Sequence, residues 1–166
     1  MVHRFDDHIR FCHSTGRWHV WDGTRWSVDE SGEIMRLASR TARGIYREAA
    51  DNSDKDTVKG IADWAKQSES RFRLDALVAL ARSQEGVAVT AGQLDANAWL
   101  LNCRNGTIDL KTGTLKPHDR ADLITKIAPV EYIPDVEVPR WQGFLQRIFG
   151  GDLDLIAYVQ RYWACA

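Results

Sequence analysis

Arg36, Arg40, Arg43 and Arg47 recur at intervals of four, three and four residues, the spacing that stacks side chains on one face of an α-helix. At 100° per residue they occupy a stripe of about 60°. Arginine's planar fork binds phosphate oxygens two at a time, so a guanidinium at each turn can follow a phosphodiester backbone. The same stripe can also be a solvated face paired to acids. Glu33 and Glu48 flank the row and no acid lies inside it. Ile34, Ala38, Ala42, Ile45 and Ala49 centre on the opposite side, so burial of that side turns the arginines outward.

Catalytic chemistry has a weaker basis. Asp6 and Asp7 are adjacent, but metal-assisted nucleotidyl transfer needs carboxylates that converge from defined strand or loop positions. The pair reads as a solvated N-terminal segment beside His8. Cys12, His13 and His19 lack the second cysteine pair or spaced histidines of a tetrahedral zinc site. Asp109 sits between apolar strand residues without an acid two positions away, and His118 follows Pro117; both read as turn chemistry. No Gly-x-x-x-x-Gly-Lys-Ser/Thr loop is present to cradle nucleotide phosphates. The expected catalytic, cofactor-binding and metal-ligating sets are therefore empty, and the arginine row is the one candidate interface.

Several elements must position that row. A hairpin is expected from Arg17–Trp21 and Thr24–Val28 joined by Asp22-Gly23, with Trp21 and Trp26 diagonal on one face. Trp18, Trp21 and Trp26 are of the type that stacks bases, but in a small domain their large area more often packs inside. Three helices follow, starting near Ser31, Ser53-Asp-Lys-Asp56 and Ser68, each opened by a capping residue. Val58, Ile61, Ala62 and Ala65 share a face of the second, and Leu74, Leu77, Val78 and Ala81 of the third.

Residues 99–118 then read as a three-stranded meander. If Asn105-Gly106 and Thr112-Gly113 are two-residue turns, Cys103 faces Ile108, Leu101 faces Leu110, and Leu110 faces Leu115, which makes one apolar side. Asn102, Arg104, Thr107, Asp109, Lys111, Thr114 and Lys116 make the other, polar side. A further strand is expected over 124–128. Pro139 suits a helix-first position, and Trp141, Phe144, Leu145, Ile148 and Phe149 form a stripe expected to be buried. Gly150-Gly151 breaks that helix and Asp152 caps the next, whose stripe is Leu155, Ile156, Val159, Tyr162 and Trp163.

The resulting expectation is an α+β fold, mainly helical, with a small antiparallel meander and an N-terminal hairpin. Its parts are an aromatic hairpin unit at 1–30, helices plus meander at 31–137, and C-terminal helices at 138–166. The chain stops at Ala164-Cys165-Ala166 inside a helical pattern, as expected of a piece cut from a longer polypeptide. With 166 residues, 44% of them hydrophobic and seven tryptophans, a real core is available. The net charge of −1 points to no nucleic-acid partner, so any such role must rest on a local patch. Cys12, Cys103 and Cys165 are odd in number and scattered, which argues against a disulfide framework and fits a reducing cytoplasm. No apolar run approaches the roughly 20 residues of a membrane span.

Leu-Leu-Asn-x-x-Asn-Gly-x-x-Asp-Leu-x-Thr-Gly, from Leu100 to Gly113, is followed by Pro117-His118, Leu123-Ile-Thr-Lys126, Pro129-Val, Tyr132 and Pro134. In this order the pieces resemble the domain that precedes the superfamily 3 helicase in phage and plasmid primase/helicase proteins, with a related domain in poxvirus primase-helicases. The likeness extends to Trp21-Asp-Gly-Thr-Arg-Trp26 and to Pro139-Arg-Trp141, Phe144-Leu145 and the run through Tyr158 to Trp163. It implies a non-enzymatic accessory domain that loads DNA or couples motor to primase in a replicative protein. It further implies a helicase motor in the same polypeptide, ATP and Mg in that motor, and a homo-oligomeric ring. A protein-interaction or oligomerisation module that never touches DNA is the alternative.

Overall fold

Alternating apolar residues build the first sheet. In the computed structural model, which describes the backbone of residues 1–50 and 53–164 and their side chains except 48–50, 163 and 164, a one-turn helix α1 (Val2–Phe5) leads into β1 (Ile9–Cys12), β2 (Arg17–Trp21) and β3 (Trp26–Val28). Then come α2 (Glu33–Ala50), α3 (Lys55–Ser68), α4 (Arg71–Ala81) and a short β4 (Ala88–Val89). A second sheet holds β5 (Leu100–Cys103), β6 (Gly106–Asp109) and β7 (Thr114–Lys116), and the chain closes with α5 (Pro139–Ile148) and α6 (Leu153–Ala164). The side chains of Glu48, Ala49 and Trp163, and all of Cys165, lie outside the described residues. The fold is α+β, as the sequence implies.

The first sheet has the order β3-β2-β1-β4, antiparallel except for β4, which pairs parallel to β1. The expected two-stranded hairpin is thus the outer part of a four-stranded mixed sheet. Ile9 faces Val20 and Phe11 faces Trp18 on one side, and this side packs on Ile34, Leu37 and Ala38 of α2, Val78 of α4, and Val87. Arg10, His19, Trp21 and Trp26 share the other side, where the 120–125 segment covers them: Trp26 donates its amide to Ile124 and its Nε1 to the Arg120 carbonyl. A sheet buried on both faces explains why Trp21 and Trp26 are interior.

The expected hairpin register is off by two residues. Trp21 pairs directly with Trp26, and Asp22–Arg25 form a four-residue loop. The Asp22 carboxylate accepts the amides of Thr24 and Arg25 at 2.8 and 2.9 Å, so an Asx-type turn replaces the two-residue glycine turn.

The meander shifts in the same way. Leu101 pairs with Ile108 rather than Leu110, and Ile108 with Leu115. The first turn is Arg104-Asn105, because Asn105 exchanges two hydrogen bonds with the backbone of Tyr132, at 2.8 and 2.9 Å. Gly106 instead enters β6, where a Cβ would press on the Lys116 carbonyl at 2.5 Å. A shift of two preserves which side chains share a face, but it moves Leu110 into a loop.

Burial on this sheet follows position along the strands more than the expected side, with two residues of each side buried. Of the five apolar residues only Cys103 and Ile108 are buried, whereas Leu101, Leu110 and Leu115 are 43, 48 and 39% exposed. On the polar side Asn102 and Thr107 are enclosed, at 3 and 1%. The physical reason is saturation: each polar atom there finds a partner inside. Asn102 donates Nδ2 to the carbonyls of Thr24 and Lys126 (3.0 and 3.1 Å) and accepts at Oδ1 from Thr107 Oγ1 and His118 Nδ1 (3.0 and 2.9 Å).

The expected 124–128 strand is absent. Ile124 and Ala128 each make a single backbone bond, to Trp26 of the first sheet and Asn102 of the second, so the segment stitches two sheets together and forms no ladder of its own.

Of the three expected helix starts, the one at Ser53-Asp-Lys-Asp56 is capped from within that stretch, and the other two are not capped by their serines. Asp29, before Ser31, accepts the amides of Glu33 and Ile34, both at 2.9 Å. Burial opposes ionisation of Asp29, but the amides of Ile34, Glu33, Ser31 and Gly32 outweigh it and hold the carboxyl below the usual carboxylate range. Asp54, one residue past Ser53, caps α3 through Thr57 N at 2.9 Å. Ser70 precedes α4 but makes no side-chain cap bond.

The chain divides into Met1–Tyr132 and Ile133–Ala166. In the second unit Pro139 opens α5, Gly150 and Gly151 take φ of +62° and +82°, and Asp152 caps α6 through Leu155 N at 3.0 Å. Among its described residues only Leu145 and Ile156 are buried; Trp141, Phe144, Ile148, Leu155 and Tyr162 remain 40% exposed or more. The stripe expected to be buried is therefore mostly open, since two helices meet along a single line of contact. Trp141 and Phe144 stack on one another, centroids 5.6 Å apart.

Candidate nucleic-acid interface

The core pins the orientation of α2. Ile34, Leu37, Ala38 and Ala42 are buried against the first sheet and α4, which leaves Arg36, Arg40, Arg43 and Arg47 exposed along the far side. The row does not stand alone. Its C-terminal half lines a cleft of about 360 Å³ with Arg4 and Phe5 of α1 and Gly44. The Arg40 guanidinium sits 5.7 Å from the centre of the Phe5 ring. A second, shallower cleft of about 460 Å³ runs along Gly32, Met35, Arg36, Ser39, Arg40 and Arg43. Arg40 and Arg43 belong to both, so the two form one basic groove. Among the described residues that line it there is no acid.

The arginines differ in how they are held. Arg36 donates Nε to Glu33 at 2.7 Å and both terminal nitrogens to Ser31 at 2.8 Å, so it is engaged at its own helix start. Arg43 donates to Glu69, just past the end of α3, at 3.3 Å while staying 71% exposed. Sequence spacing revealed the flanking Glu33 but not Glu69, which tertiary packing delivers. Arg4 was also missed. Its signal was Gly44, a glycine in a helix interior, where it costs about 1 kcal/mol relative to alanine. A Cβ there would overlap the Arg4 guanidinium.

A Gly44→Ala variant separates these roles. It is expected to raise the unfolding free energy by about 0.5–1 kcal/mol, because the group it displaces is the end of a flexible side chain. Affinity for DNA should fall by about threefold as Arg4 leaves the cleft. Unchanged affinity in a titration against labelled DNA would remove Arg4 from the interface.

The other singled-out residues are placed in structural roles. Asp7 pairs with Arg120, and Arg10 donates to the Asp6 carbonyl. Asp109 closes the β6–β7 loop through Lys111 N at 2.8 Å. His118 joins Asn102 within the buried network. His13 Nε2 meets the Arg82 carbonyl at 3.1 Å, and His19 is interior, where burial and then Arg17 push its imidazole pKa down. Among the described residues no three His, Cys, Asp or Glu side chains converge on a metal-sized point. No helix among them is long and apolar enough to cross a membrane. Trp21 and Trp26 pack edge to face at 5.7 Å, and Trp18 leans on Phe11 at 5.0 Å; the tryptophans expected either to stack bases or to pack do the latter.

The fold is α+β, and the described residues of α1 and α2 form a basic groove on it. The family described as D5 N terminal like matches residues 1–150, and the chain belongs to it: it is the N-terminal domain of D5-like primase/helicase proteins. No curated protein matches the chain.

Proposed function

We infer that this domain is a non-catalytic accessory part of a DNA-replication primase/helicase, and that it holds a nucleic-acid strand by its phosphates in the groove on α2. The observation that carries the reading is the convergence of Arg4 with Arg40, Arg43 and Arg47 on one cleft floored by Phe5. Guanidinium groups from two elements around an open cleft contact successive phosphates without reading bases. Arg36, saturated by Glu33 and Ser31, contributes charge to the groove's other end. In the parent, the helicase motor of the same polypeptide supplies ATP and Mg chemistry, in a homo-oligomeric ring of a phage or plasmid replication system in the cytoplasm. The accessory domain guides the strand toward that ring.

The test is DNA binding against salt. Anisotropy of a labelled single strand should give weak, sequence-independent binding with a log–log salt slope of about −2 to −3, as three or four phosphate contacts imply. The double variant Arg40→Ala, Arg43→Ala should lose about tenfold in affinity and flatten the slope by about one to two, with an unchanged melting temperature. Absence of binding by the wild type at low salt overturns the reading in favour of a protein-interaction module.

A further inference from the structure

Glu69, the acid that meets Arg43, stands where a helix does not favour one. It is the residue after α3, and its amide closes that helix onto the Ala65 carbonyl at 3.2 Å. An acid at this end faces the negative pole of the helix dipole. The bond to Arg43 returns little stability, since the arginine side chain is 71% exposed and a solvated ion pair is weak. Stability does not account for Glu69, whereas the geometry of the pair does. The contact is made through Nε, at the side of the guanidinium, at 3.3 Å. A guanidinium has two donor edges, one formed by Nε with a terminal nitrogen and one by the two terminal nitrogens. Glu69 takes the first. Nη1 and Nη2 bond to none of the described residues, and Arg43 lines both halves of the basic groove. Arg36 differs, because Glu33 and Ser31 engage all three of its nitrogens. Tyr46, one turn beyond Arg43 on α2, lies beside the same carboxylate: partial burial and then the Glu69 charge hold its phenol pKa above the ordinary value.

We propose that Glu69 is a positioning residue for the groove: it tethers Arg43 by Nε, so that the edge formed by Nη1 and Nη2 stands ready to receive a phosphodiester end on, by two hydrogen bonds. This rests on the reading of the groove as a phosphate site. A long side chain loses rotamer freedom when a ligand fixes it, and one already held at Nε has less to lose. The remaining edge still matches two phosphate oxygens. The Glu69 carboxylate also repels the phosphate it prepares for, so tethering and repulsion act with opposite sign. Only tethering needs Arg43. The two effects therefore separate in a double-mutant cycle.

The probe is a labelled DNA single strand titrated at low salt. Glu69→Ala should lower affinity about twofold, at the low end of the cost of immobilising one long side chain. Glu69→Gln keeps an acceptor for Nε and should restore binding at least to the wild-type level. With Arg43→Ala already in place, Glu69→Ala should instead raise affinity, because repulsion is then all that it removes. The melting temperature should hold or rise in both Glu69 variants, as the helix end loses an unfavourable charge. In the ¹⁵N-labelled chain the Arg43 Nε proton should stay protected from solvent exchange as DNA is added, since the tether persists in the complex. Tighter binding by Glu69→Ala alone, an equal loss in both backgrounds, or release of the Nε proton on DNA binding overturns the proposal while leaving the groove a phosphate site. Binding by none of these proteins, the wild type included, overturns both readings.

Discussion

Replacing Asn102 with alanine should lower the unfolding free energy by about 3–4 kcal/mol, because it strands several buried groups at once. An asparagine side chain has two donors and two acceptor positions, and here all are used. Nδ2 serves the carbonyls of Thr24 and Lys126, and Oδ1 serves Thr107 and His118, at distances from 2.9 to 3.1 Å. Thr24 lies in the β2–β3 loop, Lys126 in the stitching segment, and Thr107 in β6. One side chain thus ties three parts of the first unit together at a residue only 3% exposed. Asn102→Asp tests the chemistry at constant shape, since a carboxylate has no proton to donate to the two carbonyls. It should be at least as damaging as alanine near neutral pH. Urea unfolding followed by circular dichroism measures both, and a loss under about 1 kcal/mol, the worth of one ordinary hydrogen bond, would show that the network is not cooperative.

Trp26→Ala should cost about 4 kcal/mol, in the range for removal of a large buried aromatic. The ring is fully enclosed. It packs on Trp21, carries the Arg10 guanidinium 4.4 Å above its centre, and donates Nε1 to the Arg120 carbonyl at 2.9 Å. Phenylalanine should recover about half of the loss, keeping apolar area but not the indole bond. Trp26 lines neither part of the basic groove, so the folded variant, held below its melting temperature, should bind DNA as the wild type does. A selective loss of DNA affinity with stability intact would mean that the tryptophan face itself meets bases.

Much of the fold was legible because it depends on local periodicity. The stripe Ile34, Ala38, Ala42 placed the core side of α2 and, by subtraction, the arginine side. The capping pattern near residue 54, Pro139 at a helix start, and the glycine pair at 150–151 each act within one turn of chain, where neighbours in sequence are neighbours in space. The family likeness was legible for a related reason, since it rests on the order of short motifs from Leu100 to Pro134 and not on any contact.

Strand register differs from the expectation in each of the three expected hairpins, always by two residues. Facial alternation has period two and cannot detect such a shift. What distinguishes the registers is side-chain bonding that alternation does not encode: remote where Tyr132 holds Asn105, and within the loop where the Asp22 carboxylate gathers the amides of Thr24 and Arg25. The same limit hid β4, whose parallel partner β1 lies far away along the chain.

By itself the sequence determined the helices, the outward direction of Arg36, Arg40, Arg43 and Arg47, and membership of the primase/helicase N-terminal family. Only the tertiary structure decided that Asn102 and Thr107 on the polar side of the meander are buried, that Glu69 meets Arg43, and that Arg4 joins the row across Gly44. Amphipathic period follows from backbone geometry that every residue carries with it, whereas burial of a polar side chain or completion of a charged cleft needs partners from distant segments, and those meet only once the chain has packed.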